Sequence, residues 1–292
     1  MKDEDVFNSI NSTKELRNFL EMKGKNHKYY YHYTTWDTFI KIYENKYFLA
    51  TNHLSKNLND QHELRNKKGD NLYHVSFSYG EAEIMPMWIL YGIPKTQAVR
   101  IGIPKKNMKE WIAELQMDKK RFDMVTLTDI IYQNEKNEKN NENKEKIIYS
   151  WQKLHRDFSK NENLKNELKI SPDLVGCVKH YAWRYENEVR LLVSLPQKTD
   201  ERIKLEFSDD IRDSFEIMTG PHFDLSTYKN HKIYKELVDK LKKENNKKDN
   251  TNGNTEDNKE DELPKSTFKT EDVNYRELCG NCIHEFCNKT EE

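Results

Sequence analysis

Along this chain, runs that alternate apolar and polar positions give way repeatedly to runs with apolar residues three and four apart, which marks strands and helices in turn. The first clear alternation is Tyr29-Tyr-Tyr-His-Tyr-Thr-Thr35, aromatic and β-branched, which predicts a strand with His32 inside it. Trp36, Phe39, Ile40 and Tyr43 then share one helical stripe, and residues 47–51 return as a short strand. Residues 72–78 alternate so that Ser76 and Ser78 share a face. Residues 85–92 read as a short helix with Gly92 as its C-cap, and 98–103 as a strand closed by Pro104. Trp111, Ile112 and Leu115 make 108–122 helical, while 125–132 reads as a single strand. Helices are also expected over 147–158 and 163–168, with Ser171-Pro172-Asp173 as a turn or the first turn of another. From Val189 the run Val-Arg-Leu-Leu-Val-Ser-Leu, closed by Pro196, predicts a largely buried strand whose mouth carries Glu186 and Glu188. Strands over 203–207 and 215–222, the second ending in a Gly220-Pro221 turn, and a helix over 228–241 complete the pattern.

Many short strands mixed with several helices, without a regular strand-helix-strand rhythm, imply an α+β fold with one mixed or antiparallel sheet. The domain so defined spans 29–241 and contains a mobile polar insertion at 133–146, made almost wholly of Asn, Glu and Lys. Before it, residues 1–28 hold a helix capped at Ser12-Thr13, with Leu16, Phe19 and Leu20 at helical spacing and Gly24 as its stop. After it, 242–272 has too few apolar residues to offset chain entropy and is expected to be a disordered linker. Residues 273–292 form a compositionally separate Cys/His tail.

Composition narrows the partners rather than the fold. Charged residues make up 34% of the chain, yet 49 basic and 50 acidic side chains nearly cancel, so no overall field favours nucleic acid or anionic lipid. No apolar run approaches the roughly 20 residues that cross a bilayer, and the start Met-Lys-Asp-Glu-Asp is acidic, so a cytoplasmic protein with no membrane partner is expected. Four cysteines are too few for a disulfide scaffold, and reduced thiols follow.

Four groups of residues could carry chemistry. Glu186 and Glu188, two apart on a strand, would point to one face and resist ionising together, which raises one pKa and suits acid-base or cation-stabilising work; a solvated strand end paired with Arg184 and Arg190 is the competing reading. His32, flanked by Tyr31, Tyr33, Thr34 and Thr35, could donate to a ligand hydroxyl while neighbouring rings stack on a nucleoside, although a lone strand histidine commonly serves the fold. Ser76 and Ser78 could hold an amide or a sugar, and Asn59-Asp-Gln-His-Glu63 has metal-binding residue types without a second histidine at ligand spacing. In the tail, Cys279, Cys282, His284 and Cys287 could bind zinc, form a redox or self-associating pair, or belong to a peptide that docks on a partner protein. A Gly-rich phosphate loop, a nucleophile elbow and a His-Glu-x-x-His helix are missing, which argues against a kinase, an α/β hydrolase and a zinc protease.

Several strings act as a set: Tyr31-His-Tyr-Thr-Thr35, Asn59-Asp60 followed by Glu63, Ser76-Phe-Ser78, Met87-Trp88-x-x-Tyr91-Gly92, Lys179 with Trp183-x-x-Glu-x-Glu-x-Arg-Leu-Leu192, and Gly220-Pro221. Their order and spacing over about 29–241 resemble a bacterial family known as domain of unknown function 2971. That family looks like a distant relative of the ADP-ribosyltransferases. The resemblance implies an ADP-ribosyltransferase-like fold and consumption of NAD as substrate. It makes His32, with Tyr33 and Thr34, similar to the ribose-binding opening, Ser76 and Ser78 similar to the Ser-x-Ser strand, and Tyr91 similar to the ring stacked on nicotinamide. Glu188 resembles the catalytic Glu and Glu186 the upstream member of a Glu-x-Glu pair. Phe77 stands where a Thr is common, and a His opening with a Glu-x-Glu close belongs to neither main subclass.

The expectation is therefore an NAD-consuming transferase acting on a macromolecule, protein or nucleic acid, as an intracellular toxin or anti-phage defence effector does. Two alternatives stand beside it: an NAD glycohydrolase of the same fold, and a non-catalytic module that senses a nucleotide or binds a partner.

Overall fold

A computed structural model describes residues 27–55, 70–80, 82–134, 147–150, 154–156, 176–252 and 262–268, together with Glu15 and Asn18. In chain order its elements begin with β1 (Tyr29–Thr35), α1 (Trp36–Asn45), β2 (Tyr47–Asn52), β3 (Leu72–Ser78), α2 (Met85–Tyr91), β4 (Ala98–Pro104) and α3 (Lys105–Met117). The middle of the chain adds β5 (Met124–Asp129), β6 (Ile131–Asn134), β7 (Ile147–Ser150), β8 (Leu154–Arg156), β9 (Val178–His180), a 3-10 turn (Tyr181–Glu186) and β10 (Glu188–Ser194). The last part supplies β11 (Arg202–Glu206), α4 (Asp209–Asp213), β12 (Glu216–Thr219), α5 (Leu225–Tyr228) and α6 (Lys232–Asn252). This is a mixed α and β protein with mainly antiparallel pairing, as the alternating periods predict.

The chain forms two compact units, and β1 and β4 each contribute to both. The first contains the described residues of Met1–His32, Asn45–Ala82 and Ile103–Phe215; the second those of Tyr33–Glu44, Glu83–Gly102 and Glu216–Glu292.

In the first unit β3 is the organising strand. One edge pairs along its whole length with β10, from Glu188↔Ser78 to Ser194↔Leu72, and β10 pairs in turn with β5. The other edge is shared: β2 pairs at Tyr73 and His74, and β1 pairs at Ser78. Strand alternation then gives two unlike faces. One carries Phe77, Val75, Val189, Leu191 and Val193, against which Phe48, Trp111, Phe207 and Phe215 cluster with ring centroids 5.3–6.3 Å apart. Helix α3 supplies Trp111 because Met108, Trp111, Ile112 and Leu115 recur on its buried stripe. The opposite face carries His74, Ser76, Ser78, Glu188 and Arg190. A second sheet, ordered β8-β7-β6-β9, belongs to the same unit, with β6 and β9 parallel and Tyr132 in register with Lys179.

The second unit has its own core. Trp36 is fully buried among Phe39, Phe223, Tyr228 and Tyr234. β4 pairs with β12, Ile101 opposite Ile217 and Val99 opposite Thr219. A Cβ at Gly220 would lie 2.7 Å from that of Ala98, so only glycine lets the turn after β12 close against β4.

Four expectations change. Residues 147–150 and 154–156 are strands rather than helix, pairing with β6 and with each other, because edge pairing overrides a local helical period. The strand expected over 125–132 is two: Ile130 separates β5 and β6, which join different sheets. Residues 242–252, expected in the linker, continue α6. Residues 262–268 are ordered too: Thr219 N–H donates to the Pro264 carbonyl, Ser266 N–H donates to that of Thr219, and Thr267 bonds Glu83 through N–H and Oγ1. The expected N-terminal helix falls outside the described residues except at Glu15 and Asn18, which are helical. Most of the 133–146 tract, the helix expected over 163–168, the turn at 171–173 and the tail also fall outside them.

Candidate functional site

The polar face of β3 and β10 converges on the carboxylate of Glu188, whose side chain is 3% exposed. Arg190, two residues along β10 and therefore on the same face, grips it with Nε on Oε1 at 2.7 Å and Nη2 on Oε2 at 3.2 Å. Ser76 lies opposite Arg190 and donates Oγ–H to Glu188 Oε1 at 2.5 Å. Lys179 arrives from β9, in the second sheet, and reaches Glu188 Oε2 at 3.2 Å and Glu186 Oε2. The Tyr132 hydroxyl, from β6, accepts the Glu188 backbone N–H at 2.8 Å. The remaining Arg190 arm donates from Nη1 to the Gly176 carbonyl at 3.0 Å. Gly176 has φ +78, a left-handed backbone that favours glycine, and a Cβ there would also push on the Leu72 Cδ2 methyl at 2.9 Å.

Glu186 and Glu188 do not occupy one strand face. Glu186 ends the 3-10 turn and Asn187 takes a left-handed φ of 46, so the chain swivels between them. They meet because both bind Lys179. The expected rise in a carboxyl pKa is reversed at Glu188: burial pushes its carboxyl up, but Arg190 and Lys179 outweigh burial and hold it well below the usual carboxylate range. The group is a fixed anion. Burial and the two carboxylates push the Tyr132 hydroxyl far above its ordinary value, so it stays neutral.

Beyond Arg190 lie two imidazoles that sequence reasoning missed. His74 continues the face of Ser78 and Ser76, and His53, in the turn after β2, sits with its ring centroid 6.3 Å away. Burial and then the Arg190 charge lower both, His53 to about 3 and His74 well below its ordinary value, so both are neutral. Among the described residues neither the Ser78 hydroxyl nor Nδ1 of His74 has a hydrogen-bond partner. His74 was legible in one respect, since the alternation that pairs Ser76 with Ser78 includes position 74.

His32 does not join this face. Tyr31 is the residue in register with Ser78, so His32 leaves β1 on the other side, where its ring packs against Phe48 and Phe77 at 5.2 and 5.8 Å. Its Nδ1–H donates to the Ser76 carbonyl at 3.0 Å, at the position on the β3 edge between the stretches paired by β2 and β1. The imidazole thus stands in for a strand, and burial lowers its pKa.

Tyr33, Thr34 and Tyr91 belong to the second unit. The Tyr33 hydroxyl accepts from Ile84 N–H at 3.2 Å and from Arg100 at 3.5 Å, and its ring meets Trp88 edge-on at 4.8 Å. Thr34 is buried, and Tyr91 is half-buried at the end of α2. The loop 59–63 and the tail with Cys279, Cys282, His284 and Cys287 lie outside the described residues. Among the described residues no group of three or more His, Cys, Asp or Glu side chains could hold a metal ion, and no helix is long and apolar enough to cross a membrane.

A family model described as a protein of unknown function (DUF2971) matches residues 87–191, a little over a third of the chain. The matched span contains Trp88, Tyr91, Lys179, Glu186, Glu188 and Arg190, and therefore most of the ionic cluster. No curated protein and no solved structure matches the chain.

Proposed function

We propose that the chain is an NAD-consuming enzyme of the ADP-ribosyltransferase kind, with Glu188 as its catalytic carboxylate. The observation that carries this reading is the register of β3 and β10, in which Ser78 lies opposite Glu188 and Ser76 donates to it. Breaking the bond between nicotinamide and ribose leaves a cation shared by the ribose ring oxygen and its anomeric carbon, and a preorganised anion lowers that barrier. Arg190 and Lys179 hold the Glu188 carboxyl well below the usual carboxylate range, so it is an anion near neutral pH, and Ser76 is exposed beside it. In this reading the ribose sits over Ser76, Ser78 and Glu188, while Glu186 orients or deprotonates the acceptor, a protein or a nucleic acid. His32 supports the edge of β3 instead of touching the reacting ribose. Such an activity suits an intracellular toxin or a defence effector.

The test is to incubate the protein with NAD and follow nicotinamide release and transfer of label. Release that disappears in Glu188→Gln supports the proposal; a silent wild type over a range of acceptors, or full activity in the variant, ends it. Free ADP-ribose without a labelled macromolecule identifies the glycohydrolase.

A second reading has its own observation. Both oxygens of Glu188 are already engaged by Arg190, Lys179 and Ser76, which suits a non-catalytic module whose ionic cluster holds the fold. Calorimetric binding of NAD without turnover would select it. For the tail, a zinc assay on protein purified without chelator tests the proposed ligands Cys279, Cys282, His284 and Cys287.

A further inference from the structure

We infer that Lys179 is a positioning residue for the Glu188 carboxylate, and that the small β8-β7-β6-β9 sheet contributes to the reaction by presenting it. This inference rests on the proposed NAD-consuming reading. Lys179 is 6% exposed and sits on β9, a strand of only three residues whose register with β6 places it beside Tyr132. From that one pair the small sheet reaches Glu188 twice: Lys179 Nζ on the Oε2 oxygen and the Tyr132 hydroxyl on the backbone N–H. The Trp183 ring, with Lys179 Nζ 4.9 Å from its centroid, closes a third side of the ammonium group.

The arrangement gives Lys179 a task that Arg190 does not perform. Arg190 binds Glu188, whereas Lys179 binds both carboxylates and is the contact through which the 3-10 turn and β10 hold them together. The groups facing this site are Tyr185 and Glu186 from the 3-10 turn, Glu188 and Arg190 from β10, Tyr132 from β6, Ser76 and His74 from β3, and His53 from the turn after β2. With both imidazoles and both phenols neutral, two cations balance two anions. Without Lys179, Glu186 would lose the cation it shares with Glu188, and Glu188 would keep Arg190 as its cation; the cheapest responses are to protonate one of the carboxylates or to swing Glu186 away. Losing the ammonium also frees Oε2 of Glu188 from one of its cations and lets its carboxyl take a proton more readily, which removes the fixed charge that the proposed reaction uses.

The test compares full-length wild type with Lys179→Met and Lys179→Arg. Lys179→Met is expected to lower kcat for nicotinamide release roughly ten- to hundredfold with little change in KM, and to move the acid limb of the pH profile upward. Lys179→Arg should recover part of kcat by keeping the charge. If Lys179→Met does not fold, Lys179→Met with Glu186→Gln restores the balance of buried charge and is compared with Glu186→Gln alone, so that the effect of losing Lys179 is separated from that of losing Glu186. Carbon-13 NMR of Glu-labelled protein, with Glu188→Gln as the assignment control, reads the titration of Glu188 without any turnover. A silent wild type therefore ends the catalytic reading, while an upward shift of the Glu188 titration in Lys179→Met still supports the positioning role. Wild-type kcat with an unmoved acid limb, or an unmoved Glu188 titration, overturns the inference.

Discussion

The two faces of the β3–β10–β5 sheet solve the same problem with opposite chemistry. On one, Phe48, Phe77, Trp111, Phe207 and Phe215 pack by area and shape. On the other, Glu188, Arg190, Lys179, Ser76 and His74 are almost as deeply buried, Ser76 excepted, but are held by charge and hydrogen bonds. An aromatic face loses stability roughly in proportion to what is removed and tolerates substitutes of similar volume. An ionic face fails when one partner goes, because the others are left as uncompensated buried charges. A protein that needed only a core would find the first solution cheaper, so the second face is where function should be sought.

The largest effect should come from breaking the ionic face at its centre. Glu188→Gln keeps the shape but strands Arg190 and leaves Lys179 with Glu186, and should cost about 3–5 kcal/mol in denaturant unfolding. On the proposed function it also removes roughly 10²–10³-fold of NAD turnover. Trp111→Ala should cost a similar 3–5 kcal/mol through its cavity, while the more conservative Trp111→Phe recovers much of it. No equally mild replacement should rescue Glu188. If Glu188→Leu proves as stable as the wild type, the contrast between the faces is wrong.

Acid separates the faces next. His53 and His74 are neutral in the fold and take up protons when it opens, so stability is lost as pH falls below the ordinary histidine value near 6.5, and for His53 the loss ends near its folded value of about 3. Between pH 7 and pH 5 the His53 imidazole should cost about 2 kcal/mol, read as a falling denaturant midpoint, and His74 adds in the same direction. Glu188, lowered by its partners, loses its own contribution only in stronger acid, below the ordinary carboxyl range. His53→Phe should flatten the upper part of this dependence, and an unchanged slope would show that His53 is not buried neutral. Variants on the aromatic face should leave the slope alone.

The smallest expected effect is at Gly176, where Ala meets both a left-handed φ and the Leu72 side chain. Gly176→Ala should destabilise by about 1–2 kcal/mol in thermal or denaturant unfolding. Because the strain falls on the carbonyl that receives Arg190, a stable variant with unchanged unfolding would break the link between this turn and the ionic face.

Much of the first unit follows from sequence period alone. β1, β3, β10 and β11 lie where alternation and aromatic content place them, and α3 where apolar residues recur at helical spacing, as α1 does in the second unit. Local pattern sufficed there because each element has one clearly apolar side whose burial fixes its orientation. It failed at 147–150 and 154–156, where strand formation depends on pairing of β7 with β6 and of β8 with β7, and at 262–268, where the order comes from bonds to Thr219 and Glu83.

For the candidate site, the sequence by itself determined that Ser76 and Ser78 would share a face, which depends on a period of two, and that Glu188 would lie at the mouth of a buried strand, which depends on the apolar run from Val189. Only the tertiary structure decided the rest. Register brought β3 beside β10, so that Ser76 meets Glu188. A left-handed Asn187 took Glu186 off the strand, and Lys179, from another sheet, brought it back. One residue of register put His32 on the aromatic side. The balance of buried charge could not be read from spacing, because a carboxyl pKa depends on which cations the fold brings within a few ångströms. Here Arg190 and Lys179 turn an expected acid into a fixed anion.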